Sequence, residues 1–179
     1  MSTDAGGSAA ARVIETARLA LRRLTTEDAA FMLGLANEPS YLRYIGDKGI
    51  RSAEDAAAYL LKGPIDSYAR NGFGLYHVSL KEDDLPIGIC GLVKRDGLEH
   101  PDVGFAFLPA YWSQGLAFEA ASAVLDYGRE TLTLHRIFAI TQPDNASSIR
   151  LLQRLGLVQQ GVVRMPTDDH DVLLFELGA

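Results

Sequence analysis

One cysteine, one tryptophan and no long apolar run are what this 179-residue chain has in place of the features that define whole classes of protein. A lone Cys90 cannot close an intramolecular disulfide, which excludes a disulfide scaffold. Its setting, the apolar run "IGICGLV", predicts a buried structural thiol, since no neighbour in sequence would lower its pKa and make it a nucleophile. No window approaches the roughly 18 apolar residues of a spanning helix, so a membrane is not an expected partner and the cytoplasm is the expected location. The opening "MSTDAGGSAAAR" has an Asp where a secretion signal is basic, and residues 1–11 read as a flexible N-terminal tail. Positive charge is short too: 17 Lys and Arg against 23 Asp and Glu leave a net charge of -6. Phosphate contacts need clustered Lys and Arg, so nucleic acid is not an expected partner. An acidic surface suits cationic substrates such as amines, although solubility alone also explains it.

What is present fits one globular domain over residues 12–179. Hydrophobic residues make up 47% of the chain and charged ones 22%, enough for one substantial core, and no internal repeat is visible. "RLALRRL" alternates as a half-buried strand does. A helix capped by Thr25 or Thr26 follows, with Met32 and Leu35 at helical spacing, until Pro39 forbids extension. Ser52 opens a second helix that Pro64 should break or kink. "FGLYHVSL" and "PIGICGLV" flank a polar turn as a hairpin, and "PDVGFAFL" adds a third strand of this group. A helix with a small-residue face of Ala117, Ala120, Ala121, Val124, Leu125 and Gly128 comes next. Then come the strand "HRIFAIT", a short helix capped by Asn145 and stopped at Gly156, and the strands "LVQQGVVRM" and "DVLLFEL". The sum is an α+β fold: a mixed sheet of about seven strands flanked by about four helices.

The stretch "WSQGLAFEA" carries the chemistry. A helix start leaves about four unpaired N–H groups and a partial positive charge, so Gln114 to Phe118 could hold a diphosphate if the loop curls tightly. Gly115 would allow close backbone approach. A plain strand-to-helix turn accounts for the same residues, and neither a Walker loop nor a GxGxxG turn is present.

Over about residues 14 to 177 the chain resembles the GNAT family of acetyl-CoA-dependent N-acyltransferases, through several separate segments. The family's acyl-CoA motif, Q/R-x-x-G-x-G/A, has its second half in Gly115-Leu116-Ala117. "FLPAYWSQGLAFEA" looks like the version in the RimJ/RimL-type branch of ribosomal-protein N-terminal acetyltransferases. "PDNASSIRLLQRLGL" resembles that branch's second motif, with Asn145, Ser148 and Gly156 in place, and "IETARLALRRLTTEDA" is similar to its first strand and helix. Two positions depart: Trp112 stands where the motif has Gln or Arg, and Leu152 where some branches carry a Tyr general acid. The final loop, "PTDDH", is shorter than the branch's aromatic-rich insertion.

The resemblance implies a GNAT-type sheet splayed in the middle and a pantetheine arm wedged between "VGFAFL" and "IFAIT". It implies backbone contacts from Phe107 and Leu108, the pyrophosphate on Gln114, Gly115, Leu116, Ala117 and Phe118, pantetheine contact from Asn145, and an anionic oxygen met by Arg150. Arg150 is otherwise a plain exposed helix residue. Acetyl-CoA is then the cosubstrate, an amine the second partner, and no metal is called for. Direct attack in a ternary complex needs a neutral amine, an oxyanion partner and a proton for the thiolate. A backbone N–H near Phe107 suits the oxyanion and Ser148 the proton, unless Ser148 only caps its helix. Asp102 leads the base candidates, which include Glu99, His77, His100 and His170; a solvated strand-end Asp is the alternative. His170 stands among Asp168, Asp169 and Asp171, where a charged surface loop explains the cluster better than a metal. The acceptor is a peptide or protein N-terminus or a small-molecule amine. The rival function is a catalytically weak acyl-CoA sensor, and the protein is expected as a monomer or homodimer.

Overall fold

The computed structural model describes residues 10–167 and 169–178. Most of the expected tail, residues 1–9, and Asp168 of the acidic cluster lie outside the described residues. Among the described residues eight strands form one sheet: β1 (Arg12–Glu15), β2 (Leu19–Arg23), β3 (Leu75–Leu80), β4 (Pro86–Val93), β5 (Asp102–Phe107), β6 (Ile137–Thr141), β7 (Val158–Arg164) and β8 (Asp171–Leu177). Their order is β1-β2-β3-β4-β5-β6-β8-β7. The strand beyond the expected seven is β1, a four-residue edge strand with a bulge between Arg12 and Ile14. A strand that short carries too few alternations to stand out from the tail before it.

Among the described residues six α-helices accompany the sheet: α1 (Ala29–Ala36), α2 (Pro39–Tyr44), α3 (Ala53–Leu60), α4 (Asp66–Asn71), α5 (Leu116–Glu130) and α6 (Ala146–Arg154). The two beyond the expected four arise at prolines. Pro39 ends α1 and also opens α2 at its first position, where a missing N–H costs nothing. Pro64 lies in a π-helical stretch, Leu61–Ile65, that joins α3 to α4, so it distorts one long segment instead of ending it. The expected caps form. Thr25 Oγ1 accepts from Glu27 N–H while Asp28 accepts from Thr25 N–H at 2.9 Å, and Ser52 Oγ accepts from Asp55 N–H at 3.1 Å.

Of three hydrophobic clusters among the described residues, a small one gathers Leu98, Phe138, Met165 and Val172, and the two larger ones cover the faces of the sheet. On one, Leu24, Met32, Leu35, Ile50 and Leu60 from the α1 to α3 region pack on Ile89. On the other, the small face of α5, with Ala120, Ala121 and Val124 fully buried, lies on Val78, Cys90 and Leu92. Gly128 permits that approach: a Cβ there would stand 3.0 Å from Ile137 Cδ1 and 3.2 Å from Leu92 Cδ1. Cys90 is a buried free thiol, and burial pushes its pKa up.

The sheet opens at one place. β4 and β5 pair along their length, from Gly88↔Phe107 to Val93↔Asp102. β5 and β6, the parallel neighbours, share the single register pair Asp102↔Phe138, beside which Phe138 N–H donates to Pro101 C=O at 2.8 Å. Beyond it the strands part.

Candidate active site

A cleft of about 570 Å³ occupies the opening, within the usual range for small-molecule sites. Phe105, Ala106 and Phe107 of β5 form one wall and Ile140 and Thr141 of β6 the other. The start of α5 closes one end, α6 contributes Ser148, Leu151 and Arg154, and Tyr41 and Tyr44 of α2 cover the top. Asp144, just before α6, meets Arg43 of α2 at 3.4 Å, an exposed ion pair that joins two of these walls.

Backbone alternation decides what faces the gap. Leu108 N–H donates to Ile87 C=O at 2.9 Å, so Gly104, Ala106 and Leu108 direct their backbone groups to β4. Phe105 and Phe107, in the opposite phase, direct theirs toward β6. The expectation for Leu108 needs correcting: its N–H is taken by Ile87 and its C=O accepts from Tyr111 N–H at 3.0 Å. Phe107 C=O is engaged as well, because Trp112 Nε1 donates to it at 2.9 Å. Trp112, 49% exposed, therefore pins the end of β5 to the loop and lines the cleft.

The loop curls as the diphosphate reading requires. Ser113 and Gly115 both have positive φ, 61° and 76°, and Gly115 is the N-cap of α5 without a side-chain capping bond. The first backbone bond of α5 runs from Glu119 N–H to Gly115 C=O, so the N–H groups of Leu116, Ala117 and Phe118 precede any helical acceptor. Gly115 to Phe118 all line the cleft. Gln114 stands at its rim, with its side-chain amide donating to Ala110 C=O at 3.2 Å.

On α6, Asn145 Oδ1 accepts Ser148 N–H at 3.2 Å. The cap thus uses the backbone of Ser148, while its half-buried side chain lines the cleft. Leu152, at the position of the missing Tyr, is buried in the core. Arg150 lies outside the cleft and reaches Ser147 Oγ at 3.4 Å. One helical turn further on, Arg154 lines the cleft and sits 4.4 Å above the Phe118 ring. Arg150 and Arg154 share one face of α6, four residues apart, and the one turn of rise between them brings only Arg154 to the cleft.

Asp102 is also not where the sequence reading put it. It is 1% exposed, does not line the cleft, and bonds Arg95 Nε at 2.8 Å. Burial, outweighing the Arg95 ion pair, raises its pKa. Its strand does border the cleft, but position 102 lies at the closed end where β5 and β6 still pair. The other base candidates are dispersed. His77 is buried beside Phe31, with ring centroids 5.4 Å apart, and His100 packs edge-on to Phe138. Glu99 is exposed, and His170 contacts the Gln142 side chain at 2.6 Å. A smaller cavity of about 350 Å³ shares Tyr44, Ile45, Ile140 and Thr141 with the main cleft and extends it past Lys48, Arg95 and Met165.

A splayed mixed sheet, with a glycine-led helix start at one end of the gap, is the architecture this chain shares with solved acetyltransferase structures. The family profile described as "Acetyltransferase (GNAT) domain" matches residues 18–158, and the chain belongs to this GNAT acetyltransferase family as an N-acetyltransferase. Among curated relatives, the uncharacterized N-acetyltransferase YnaD of Bacillus subtilis (strain 168) is 32% identical over 148 residues, covering 83% of this chain and 84% of the relative. The [Ribosomal protein uS5]-alanine N-acetyltransferase of Escherichia coli (strain K12) is 32% identical over 108 residues, covering 57% of this chain and 54% of the relative. The crystal structure of the acetyltransferase from Agrobacterium tumefaciens str. C58 superposes with a TM-score of 0.79 at 22% identity, covering 93% and 94% of the two chains. The resemblance to the RimJ/RimL-type branch and the α+β GNAT fold are thereby established. No helix among the described residues is long and apolar enough to cross a membrane.

Proposed function

We propose that this protein transfers the acetyl group of acetyl-CoA to the primary amine of a peptide or protein N-terminus or of a small molecule, by direct attack in a ternary complex. The observation that carries the reading is the coincidence, in one cleft, of the sheet opening and the unpaired helix start. The N–H groups of Leu116, Ala117 and Phe118, with Gly115 φ at 76°, suit a diphosphate, since backbone donors and the helix dipole both favour an anion there. Gln114 supports the same loop from its rim. Arg154, not Arg150, is the arginine within reach of an anionic group in the cleft.

The pantetheine amides take the place of a strand beside β5, where Phe105 and Phe107 present backbone groups, and Asn145 flanks them from the start of α6. Acetyl-CoA supplies an activated thioester. Phe107 N–H faces the gap and is the backbone donor for the developing oxyanion. As nitrogen bonds the acyl carbon and the C–S bond breaks, Ser148 O–H, left out of the helix cap, supplies a proton to the departing thiolate and regains one from the attacking amine through water, a net transfer of one proton from nitrogen to sulfur. Asp102 has no direct part in this reading, being buried behind Arg95. The amine enters from the extension past Tyr44 and Arg95, opposite the α5 loop. Residues 12–179 act as one domain, and the protein works as a monomer or homodimer in the cytoplasm.

The test is to incubate the protein with acetyl-CoA and a panel of N-terminal peptides, polyamines, aminoglycosides and amino acids while following free thiol. Release above the no-amine blank is expected for at least one class. Tight CoA binding without turnover across the panel would sink this reading and leave an acyl-CoA sensor.

A further inference from the structure

Arg18, in the turn between β1 and β2, is nearly a hundred residues from the α5 loop in sequence but touches it on both sides. Its Nη1 donates to Gln114 C=O at 3.0 Å, immediately before Gly115. Its Nε donates to Glu119 Oε1 at 2.8 Å, in the first turn of α5. Its backbone N–H and the Thr16 hydroxyl bond the other carboxylate oxygen, Glu119 Oε2, at 3.0 and 2.5 Å. A Cβ placed on Gly115 would lie 3.6 Å from Arg18 Nη2. One guanidinium therefore brackets the helix start.

The loop requires such a support from outside. Two left-handed residues, Ser113 and Gly115, shape it, and Gly115 has no side chain with which to cap α5. A non-glycine residue such as Ser113 holds this conformation only when its surroundings impose it. Electrostatics adds a second demand. Glu119 is a carboxylate within the first turn of α5, where it would repel a diphosphate arriving at Leu116 to Phe118. Glu119 does not line the cleft; Thr16 and Arg18 hold it on the side facing the β1–β2 turn and compensate its charge. Despite the opposing effect of burial, those hydrogen bonds keep its carboxyl below the ordinary range, so it is ionised at neutral pH.

We infer that Arg18 is a positioning residue for the acetyl-CoA loop, fixing the left-handed turn through Gln114 and neutralising Glu119 so that the start of α5 accepts a diphosphate. This rests on the diphosphate reading of that loop. Arg18 acts on cofactor affinity and leaves the amine side of the cleft untouched.

The test measures CoA affinity by titration calorimetry on the full chain for wild type, Arg18→Ala, Arg18→Lys and the double variant Arg18→Ala/Glu119→Gln, with melting temperatures recorded in parallel. Loss of charge-assisted bonds predicts that Arg18→Ala weakens CoA binding about tenfold or more. The KM for acetyl-CoA rises in step, while kcat and the KM for the amine stay near wild type. Adding Glu119→Gln recovers part of the affinity because the uncompensated charge is gone, and Arg18→Lys is intermediate because it keeps charge without the fork. A purely structural tie would lower the melting temperature and leave CoA affinity of the folded protein unchanged; that result overturns the inference. Should Arg18→Ala fail to fold, Arg18→Lys decides, and wild-type CoA affinity in that variant overturns it. Wild type that binds no CoA would instead sink the diphosphate reading itself.

Discussion

His77 and Trp112 show how much one residue's meaning depends on what surrounds it. His77 alternates in β3 as a half-buried strand residue should, but it is 3% exposed and its Nδ1 has no hydrogen-bond partner among the described residues. Burial, with Arg22 nearby, lowers its pKa to about 4. The unfolded chain therefore takes up a proton near pH 6.5 that the folded chain refuses until about pH 4. Stability contributed by neutral His77 is full above pH 6.5 and falls as pH drops through that window, by on the order of 3 kcal/mol. Replacing it with Phe should flatten the acid limb of the urea midpoint plotted against pH, and an unchanged limb would contradict the assignment. Trp112 holds Phe107 C=O through a single bond. Trp112→Phe keeps an aromatic side chain and removes the donor, which at about 1 kcal/mol should raise the KM for acetyl-CoA roughly fivefold with little change in melting temperature.

At the scale of elements, glycines set how closely strands and helices meet. A Cβ on Gly91 of β4 would lie 2.1 Å from Gly74 C=O, so Gly91→Ala must push backbone apart beside β3. The expected cost is about 1–3 kcal/mol, read as a lower denaturation midpoint. Gly115 differs, for its Cβ direction is open apart from the Arg18 side chain and its constraint is the positive φ. Gly115→Ala should cost about 1 kcal/mol of stability and more in CoA affinity, since relaxing φ redirects the N–H groups of α5. Calorimetry compared with thermal denaturation separates the two effects. The helix starts were legible from sequence because caps are local: Thr25, Ser52 and Asn145 each bond groups within three residues. α2 was not, because Pro39 reads as a stop whether the chain ends a helix there or begins another, whereas the π stretch at Pro64 is the kink that was one of the two expected outcomes.

For the whole molecule, the parted β5 and β6 are the decisive feature. A ligand filling that opening bridges the β1–β5 and β6–β8 portions of the sheet, which otherwise share one register pair. CoA at about a hundred times its dissociation constant should add about 2.7 kcal/mol, a rise of roughly 5–10 °C in melting temperature for a chain of this size. The absence of any rise would count against a cofactor in the gap. The open sheet also explains why catalytic side chains were harder to read than backbone ones. Asp102 and Phe107 lie on one strand, yet four intervening residues separate the closed end of the gap, where Asp102 meets Arg95, from the open end where Phe107 faces it.

Local order along the chain determined the strand and helix alternation, the caps, the buried Cys90 and the membership of the "QGLA" loop and the Asn145–Gly156 segment in a GNAT pattern. The alternation, the caps and the burial of Cys90 depend on contacts among near neighbours, which periodicity records, whereas the GNAT pattern is legible only as a resemblance. Tertiary structure alone decided which arginine enters the cleft, that Asp102 is sealed behind Arg95, that Leu108 has no backbone group to spare, and that Arg18 clamps a loop lying far along the chain. Each follows from pairing phase or from packing between distant segments, and no spacing within one segment encodes either.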